Sequence, residues 1–203
     1  MGILEKSANS VVRLKKIEYR IVLSSGRNKP LENIIVNFCD EDLFHILGLQ
    51  HLKDIELPKN KKVIVSQIQN GIITDDYISK SDYYDNAELE FNIKNRIIMA
   101  SFLEELFDSD IFTISIYRMQ HDNRTNIKAD YLITCKRTSS DEEYYIFIRQ
   151  RKENNTYGIV SAFPKNNISY WGGKRYLMLK EKNVDQITIE LFRHPDYKDI
   201  YKE

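Results

Sequence analysis

The chain has 203 residues, with 30 Lys+Arg balanced by 30 Asp+Glu, and it is 42% hydrophobic and 30% charged. That balance fits one soluble globular domain spanning 1–203 and excludes a disordered or collagen-like chain. Two cysteines, Cys39 and Cys135, exclude a disulfide framework and point to a reducing cytoplasm. No stretch approaches the roughly 18–20 apolar residues of a membrane span, and Met1–Lys6 lacks the apolar core of a signal peptide.

The zero net charge hides an asymmetry. Asp75–Asp110 carries ten acidic residues against three basic ones, and Arg124–Lys180 carries eleven basic against five acidic. Such a split marks either a surface for an anionic partner or an ordinary solvated face.

Ile3–Lys16 reads as a polar helix with apolar points at Ile3, Leu4, Val11, Val12 and Leu14. Ile17–Ser24 alternates and is rich in β-formers, so it is a strand or a helix continuation. A turn at Ser25–Pro30 precedes a short strand at Ile34–Phe38. Asp40 is the expected N-cap of a helix running through Leu43–Leu52, with Glu41 and Asp42 where the helix dipole favours anions. Lys62–Asn70 predicts another helix, stopped by Gly71.

Leu89–Phe107 gives the clearest helical signal. Leu89, Ile93, Arg96, Ala100, Leu103 and Phe107 fall within about 40° of one line. The period then changes to two. Phe112–Tyr117, Tyr131–Arg137, Tyr144–Arg151 and Tyr157–Phe163 read as strands, with two more at Tyr176–Leu179 and Ile187–Phe192. Turns are expected at Asp122–Asn123, Ser139–Asp141 and Asn154–Asn155. The order predicts an α+β fold, with N-terminal helices packed on a mainly antiparallel sheet.

High-specificity motifs are missing. There is no Gly-rich phosphate loop, no GxGxxG and no GxSxG elbow. His45 and His51, six apart, lie about 120° from each other on a helix and do not chelate together. His121 falls in an expected turn and His194 in the tail, so no metal site and no cofactor are expected.

Several side chains stand out. His45 precedes Gly48 by three residues, and a missing Cβ beside an imidazole leaves a notch. Either His45 faces a small cleft suited to proton transfer, or Gly48 marks a helix contact and His45 a satisfied core residue. Arg96 on an apolar stripe reaches solvent, pairs with a buried carboxylate, or lines a cleft for an anion. Period two places Tyr157, Ile159, Ser161 and Phe163 on one face. In the strand at Tyr131–Arg137, Leu132, Thr134 and Lys136 share a face. Such faces hold a phosphate and stack a base, or are simply half-exposed. Tyr170–Arg175 is an aromatic–glycine–basic turn that stacks a base or covers the sheet edge.

The run Phe38-x5-Phe44–His45–Ile46–Leu47–Gly48–Leu49 resembles the F-x-H-L-x-G-L signature of phage-encoded nuclease-like domains of the barnase/EndoU/colicin/RelE group. Arg96, Ala129–Leu132, Tyr145–Phe147 and Ser161–Phe163 follow in a similar order, covering about Tyr19–Lys180, although the family's second aromatic is replaced by Ala162. The resemblance implies metal-independent RNA cleavage, by attack of a 2′-hydroxyl on the adjacent phosphorus. His45 would be the general base or acid, Arg96 and Lys136 would stabilise the phosphorane, and Ser161 would hold a phosphate oxygen. Arg137, Arg149, Tyr170, Lys174 and Arg175 would contact the RNA. The implied setting is a phage or mobile element, with RNA as substrate and an antitoxin or host protein as a further partner. The competing expectation is a non-catalytic interaction module on the same fold, with Asp75–Asp110 as its working surface.

Overall fold

The computed structural model describes residues 1–27, 29–86, 92–118, 127–166, 170 and 172–198. The first half contributes α1 (Ile3–Leu14), β1 (Ile17–Ser24), β2 (Leu31–Val36), α2 (Asp40–Ile46), α3 (Lys62–Gln69), α4 (Asp75–Ile78), α5 (Ile93–Ala100) and α6 (Leu103–Asp108). The second half contributes β3 (Phe112–Tyr117), β4 (Tyr131–Lys136), β5 (Glu143–Gln150), β6 (Thr156–Pro164), β7 (Gly172–Lys174), β8 (Tyr176–Val184) and β9 (Ile187–Arg193). The expected turn at Asp122–Asn123, together with Leu89, His121, Arg124 and Trp171, lies outside the described residues. No described helix is long and apolar enough to cross a membrane.

The described strands form one sheet in the order β7-β3-β4-β5-β6-β2-β1-β8-β9. It is a mixed sheet: β2 runs parallel to β6, through Ile35–Thr156 and Val36–Tyr157, while the other described pairings are antiparallel. The expected order of helices first and strands later therefore holds only in part, because β1 and β2 precede five of the helices. Ile17–Ser24 settles as a strand because it lies between β2 and β8 and is buried along most of its length. Its alternating first half keeps Glu18 and Arg20 partly exposed, and the apolar Ile21–Leu23 that follows suits such a central position.

The sheet curls. Five strands separate β3 from β8 in the order, yet Lys180 of β8 sits 4.5 Å over the Phe112 ring of β3. Its Nζ donates to the Ser109 carbonyl at 2.6 Å, and burial lowers its pKa to about 8. One large core fills the space between the helices and the curled sheet. There Tyr19 stacks on Phe107 at 4.8 Å, and Phe38 meets both rings edge-on. A second, smaller core gathers Tyr117, Leu132, Tyr145, Phe147 and Phe163.

The long helix expected to end at Phe107 is two helices, broken at Ser101–Phe102. At the break Ser101 N–H and Phe102 N–H donate to the Ile98 and Met99 carbonyls, and the Ser101 hydroxyl also donates to the Ile98 carbonyl at 2.7 Å. The described members of the stripe, Ile93, Arg96, Ala100, Leu103 and Phe107, are all buried. The turn expected around Gly172 is the edge strand β7, paired with β3. Gly172 lies so close to the Ile116 carbonyl that a Cβ would overlap it.

Candidate active site

The last pairing of β2 with β6 is at Val36–Tyr157, after which β2 leaves the sheet. The chain passes through Asn37–Cys39 into α2, and α2 and α5 pack along the rest of β6. The gap so formed is a pocket of about 1070 Å³. Its walls come from α2, the segment after it, α5, residues 127–128, and the β5–β6 hairpin.

Asp42 builds one wall. The N-cap of α2 is Cys39, not the expected Asp40, which instead pairs with Lys15 at 2.8 Å. Asp42, three residues into the cap, accepts the Cys39 N–H at 2.9 Å and closes a capping box. The same carboxylate accepts from Arg151 Nη2 at 2.5 Å, and Arg151 also donates to the side chain and carbonyl of Asn37. The start of α2 is thereby tied to the end of β5. Gly158 lies beneath that guanidinium, where a Cβ would overlap it.

Helix α2 ends earlier than expected, at Ile46. Gly48 is not inside a helix. It takes the left-handed conformation, with φ +71°, and leads into a short 3-10 turn at Leu49–His51. A glycine just past a helix end is favoured because it adopts that conformation without Cβ strain. The notch it leaves is filled: a Cβ at Gly48 would lie 2.8 Å from Arg96 Cδ and 2.9 Å from Arg96 Nη1 and Ile93 Cδ1.

Arg96 therefore fits against Gly48. It is 1% exposed, and burial lowers its pKa to about 10. At that value the guanidinium is still charged near neutral pH. Nη2 donates to Ser161 Oγ at 2.6 Å and Nη1 to the His45 carbonyl at 3.3 Å. Its Cζ stands 5.5 Å over the Phe163 ring. Ser161 meets it because of a β-bulge. Phe147 pairs with Ser161 but Ile148 pairs with Ile159, so Val160 is the extra residue. A bulge re-aims the side chains beside it. Tyr157, Ile159, Ser161 and Phe163 do not share the face that strict alternation assigns them: Ile159 packs in the main core and Phe163 in the second one.

His45 lines the pocket half-buried, as does His51. Its Nε2 lies 3.2 Å from Lys61 Nζ. Burial lowers its pKa first, Lys61, Arg149 and Arg96 lower it further, and Asp42 opposes them. Burial and Arg96 hold His51 near 4. Both rings are neutral at pH 7. The pocket lining carries five basic residues, Arg96, Lys128, Arg149, Arg151 and Lys152, against Glu41, Asp42 and Glu153.

His45, Arg96, Ser161 and Arg149 are thus brought to one pocket. The other expected site residues are not. Lys136 pairs with Glu143 at the far end of β4, four residues past Leu132, which shares the level of Phe147 and Ser161. At about 3.3 Å per residue it lies about 13 Å along the strands and two strands across. It lines a different cavity, of about 370 Å³, with Arg137. Arg137 itself pairs with Glu105 at 3.0 Å and covers Phe102. Arg175 is held by Glu32 at 3.1 Å, and Lys174 stands over Tyr176. Tyr170 packs edge-on against Tyr145 and Phe147, both at 5.1 Å, in the second core. Sequence reasoning did not single out Lys61 or Lys128, and it read Asp42 only as an anion at a helix start and Lys152 only as part of the basic segment. Lys61 meets His45 across sixteen residues, a contact that no helical or strand period encodes.

No curated protein and no solved structure matches the chain. A family model matches residues 3–198, wider than the Tyr19–Lys180 span expected from the motifs. With that match covering nearly the whole chain, it belongs to the family described as phage-Barnase-EndoU-ColicinE5/D-RelE like nuclease 4.

Proposed function

We propose that the chain cleaves RNA at the pocket between α2 and the β5–β6 hairpin, by attack of a 2′-hydroxyl on the adjacent phosphorus. The products would be a 2′,3′-cyclic phosphate and a free 5′-hydroxyl. The observation that carries this reading is convergence: His45, Arg96 and Ser161, far apart in the chain of a nuclease family, meet in one cationic pocket. In-line attack needs proton transfer and positive charge at the phosphoryl oxygens. His45 serves the proton. Arg149, Lys128 and Lys152 draw the phosphodiester in, with Arg96 as the charge on the floor. Ser161 accepts from Arg96 and keeps its own hydrogen to donate to a phosphate oxygen. Lys136 has no part in this reading. The chemistry rests on side chains alone and uses no metal.

The family description supports a phage or mobile-element setting, in which the enzyme acts in the cytoplasm as a toxin or host-directed effector. The test is cleavage of total RNA in EDTA by wild type and His45→Ala. Cyclic-phosphate ends from wild type, lost in a folded His45→Ala variant, are expected. Folded wild type that leaves every RNA intact overturns the reading, as does full activity in His45→Ala.

A further inference from the structure

The contact between Lys61 and His45 constrains more than charge. Lys61 is the N-cap residue of α3, half-buried, with Nζ 5.1 Å from the Phe44 ring centroid and 3.2 Å from His45 Nε2. An ammonium has three hydrogens and no lone pair, so it only donates. Nε2 must then present its lone pair. A neutral imidazole carries its single hydrogen on the other nitrogen, here Nδ1. Nδ1 has no hydrogen-bond partner among the described residues, and the ring lines the pocket. In this state His45 offers the pocket a donor and no free lone pair.

We infer that Lys61 is a positioning residue that fixes His45 as the Nδ1–H tautomer, making His45 the proton donor to the leaving oxygen rather than the base. This deepens the ribonuclease reading and rests on it. As the bond from phosphorus to the 5′-oxygen breaks, the Nδ1 proton passes to that oxygen. Nε2 takes a proton from the Lys61 ammonium, so the ring stays neutral as its other tautomer and Lys61 becomes an amine. Solvent then reprotonates Lys61, and the proton of the attacking 2′-hydroxyl leaves to solvent. The groups facing the ring agree with a neutral resting state. Lys61, Arg149 and Arg96 disfavour its charged form, Asp42 favours it, and the neighbouring His51 is itself neutral.

Ring nitrogen NMR on the full chain reads the tautomer directly, without any substrate. Wild type is expected to show His45 as Nδ1–H at pH 7. Lys61→Met, which loses the donor, should lose that preference and raise the His45 pKa, while Lys61→Arg should keep the tautomer. In cleavage, Lys61→Met should slow ordinary RNA at least tenfold but cut a substrate with sulfur at the 5′-bridging position near the wild-type rate. A thiolate leaves without a proton. An Nε2–H ring in wild type overturns the inference, as does a His45 ring indifferent to Lys61→Met or equal losses on both substrates. Cleavage of neither substrate by wild type overturns the ribonuclease reading and the donor role with it. The ring spectra then still uphold or overturn the control of the tautomer by Lys61.

Discussion

Replacing Gly48 with alanine asks whether the end of α2 is shaped around Arg96, and Gly71→Ala provides the control. The two glycines have nearly the same backbone, φ +71° and +69°, but opposite surroundings: a Cβ at Gly71 meets nothing within 4 Å. Left-handed backbone costs an L-residue about 1–2 kcal/mol, which is the whole expected penalty of Gly71→Ala. At Gly48 the new methyl also overlaps Arg96 and Ile93 at 2.8–2.9 Å, tighter than real contacts allow. Overpacking a tight site adds about 1–3 kcal/mol, so Gly48→Ala should cost about 2–5 kcal/mol in all. In urea, with a slope near 2 kcal/mol/M, the gap between the variants should appear as a midpoint difference of about 0.5–1.5 M. Gly48→Ala should also lose cleavage beyond its loss of stability, because Arg96 is pushed from Ser161. Equal midpoints for the two variants would refute the fit of Gly48 to Arg96.

Ser161→Ala removes the acceptor of a buried charged donor and should cost about 1.5–3 kcal/mol in chemical denaturation; a change within experimental error would show the 2.6 Å contact to be idle. Stability should also fall on mild acidification. His51 titrates near 4 when folded against 6.5 as its ordinary value, so between those limits the unfolded chain binds a proton that the folded chain does not. The urea midpoint should hold above pH 6.5 and drop as pH falls toward 4, and His51→Gln should flatten the slope between pH 6.5 and 5. An unchanged slope in that variant would assign the effect elsewhere. Arg149→Ala, at an exposed position, should leave stability within about 0.5 kcal/mol. It should weaken single-stranded RNA binding and reduce the salt slope of log K by about 0.7, as loss of one phosphate contact requires; an unaltered slope in filter binding would take Arg149 off the RNA path.

Period and propensity made the strands readable because β3 to β6 are antiparallel and flanked by turn residues. They made the buried stripe around Arg96 readable too, since Ile93, Arg96 and Ala100 project to one side whether or not the helix later breaks. The break at Ser101–Phe102 interrupts no apolar spacing, so the period did not show it. The candidate site was legible in its anomalies, a histidine near a glycine and an arginine among apolar residues. Its geometry was not. Gly48 read as a residue within the helix because its left-handed backbone leaves no trace in the sequence. The face of Ser161 depends on one extra residue, Val160, against β5. Lys136 carries the right charge at the wrong register, and only the pairing with Glu143 shows how far it lies from Ser161.

A neutral chain in a nuclease family raises the question of how it would hold a polyanion. Part of the acidic run is engaged in contacts with the rest of the chain. Asp75 accepts the N–H of Leu4 at the start of α1, and Asp85 takes Lys94. Glu104 and Asp108 share Lys182, while Glu104 also takes Arg13, Asp108 accepts the Tyr19 hydroxyl and Glu105 takes Arg137. These contacts offset part of the charge of the segment. At the pocket the accounting reverses: Lys128, Arg149 and Lys152 have no acidic partner among the described residues. At physiological salt, charges beyond about 8 Å are largely screened, so a phosphodiester entering the pocket is governed by these cations rather than by the distant carboxylates. Formal net charge averages over distances that solvent has already cut off, and under the proposed function the local field beside His45 is the quantity that would bear on RNA.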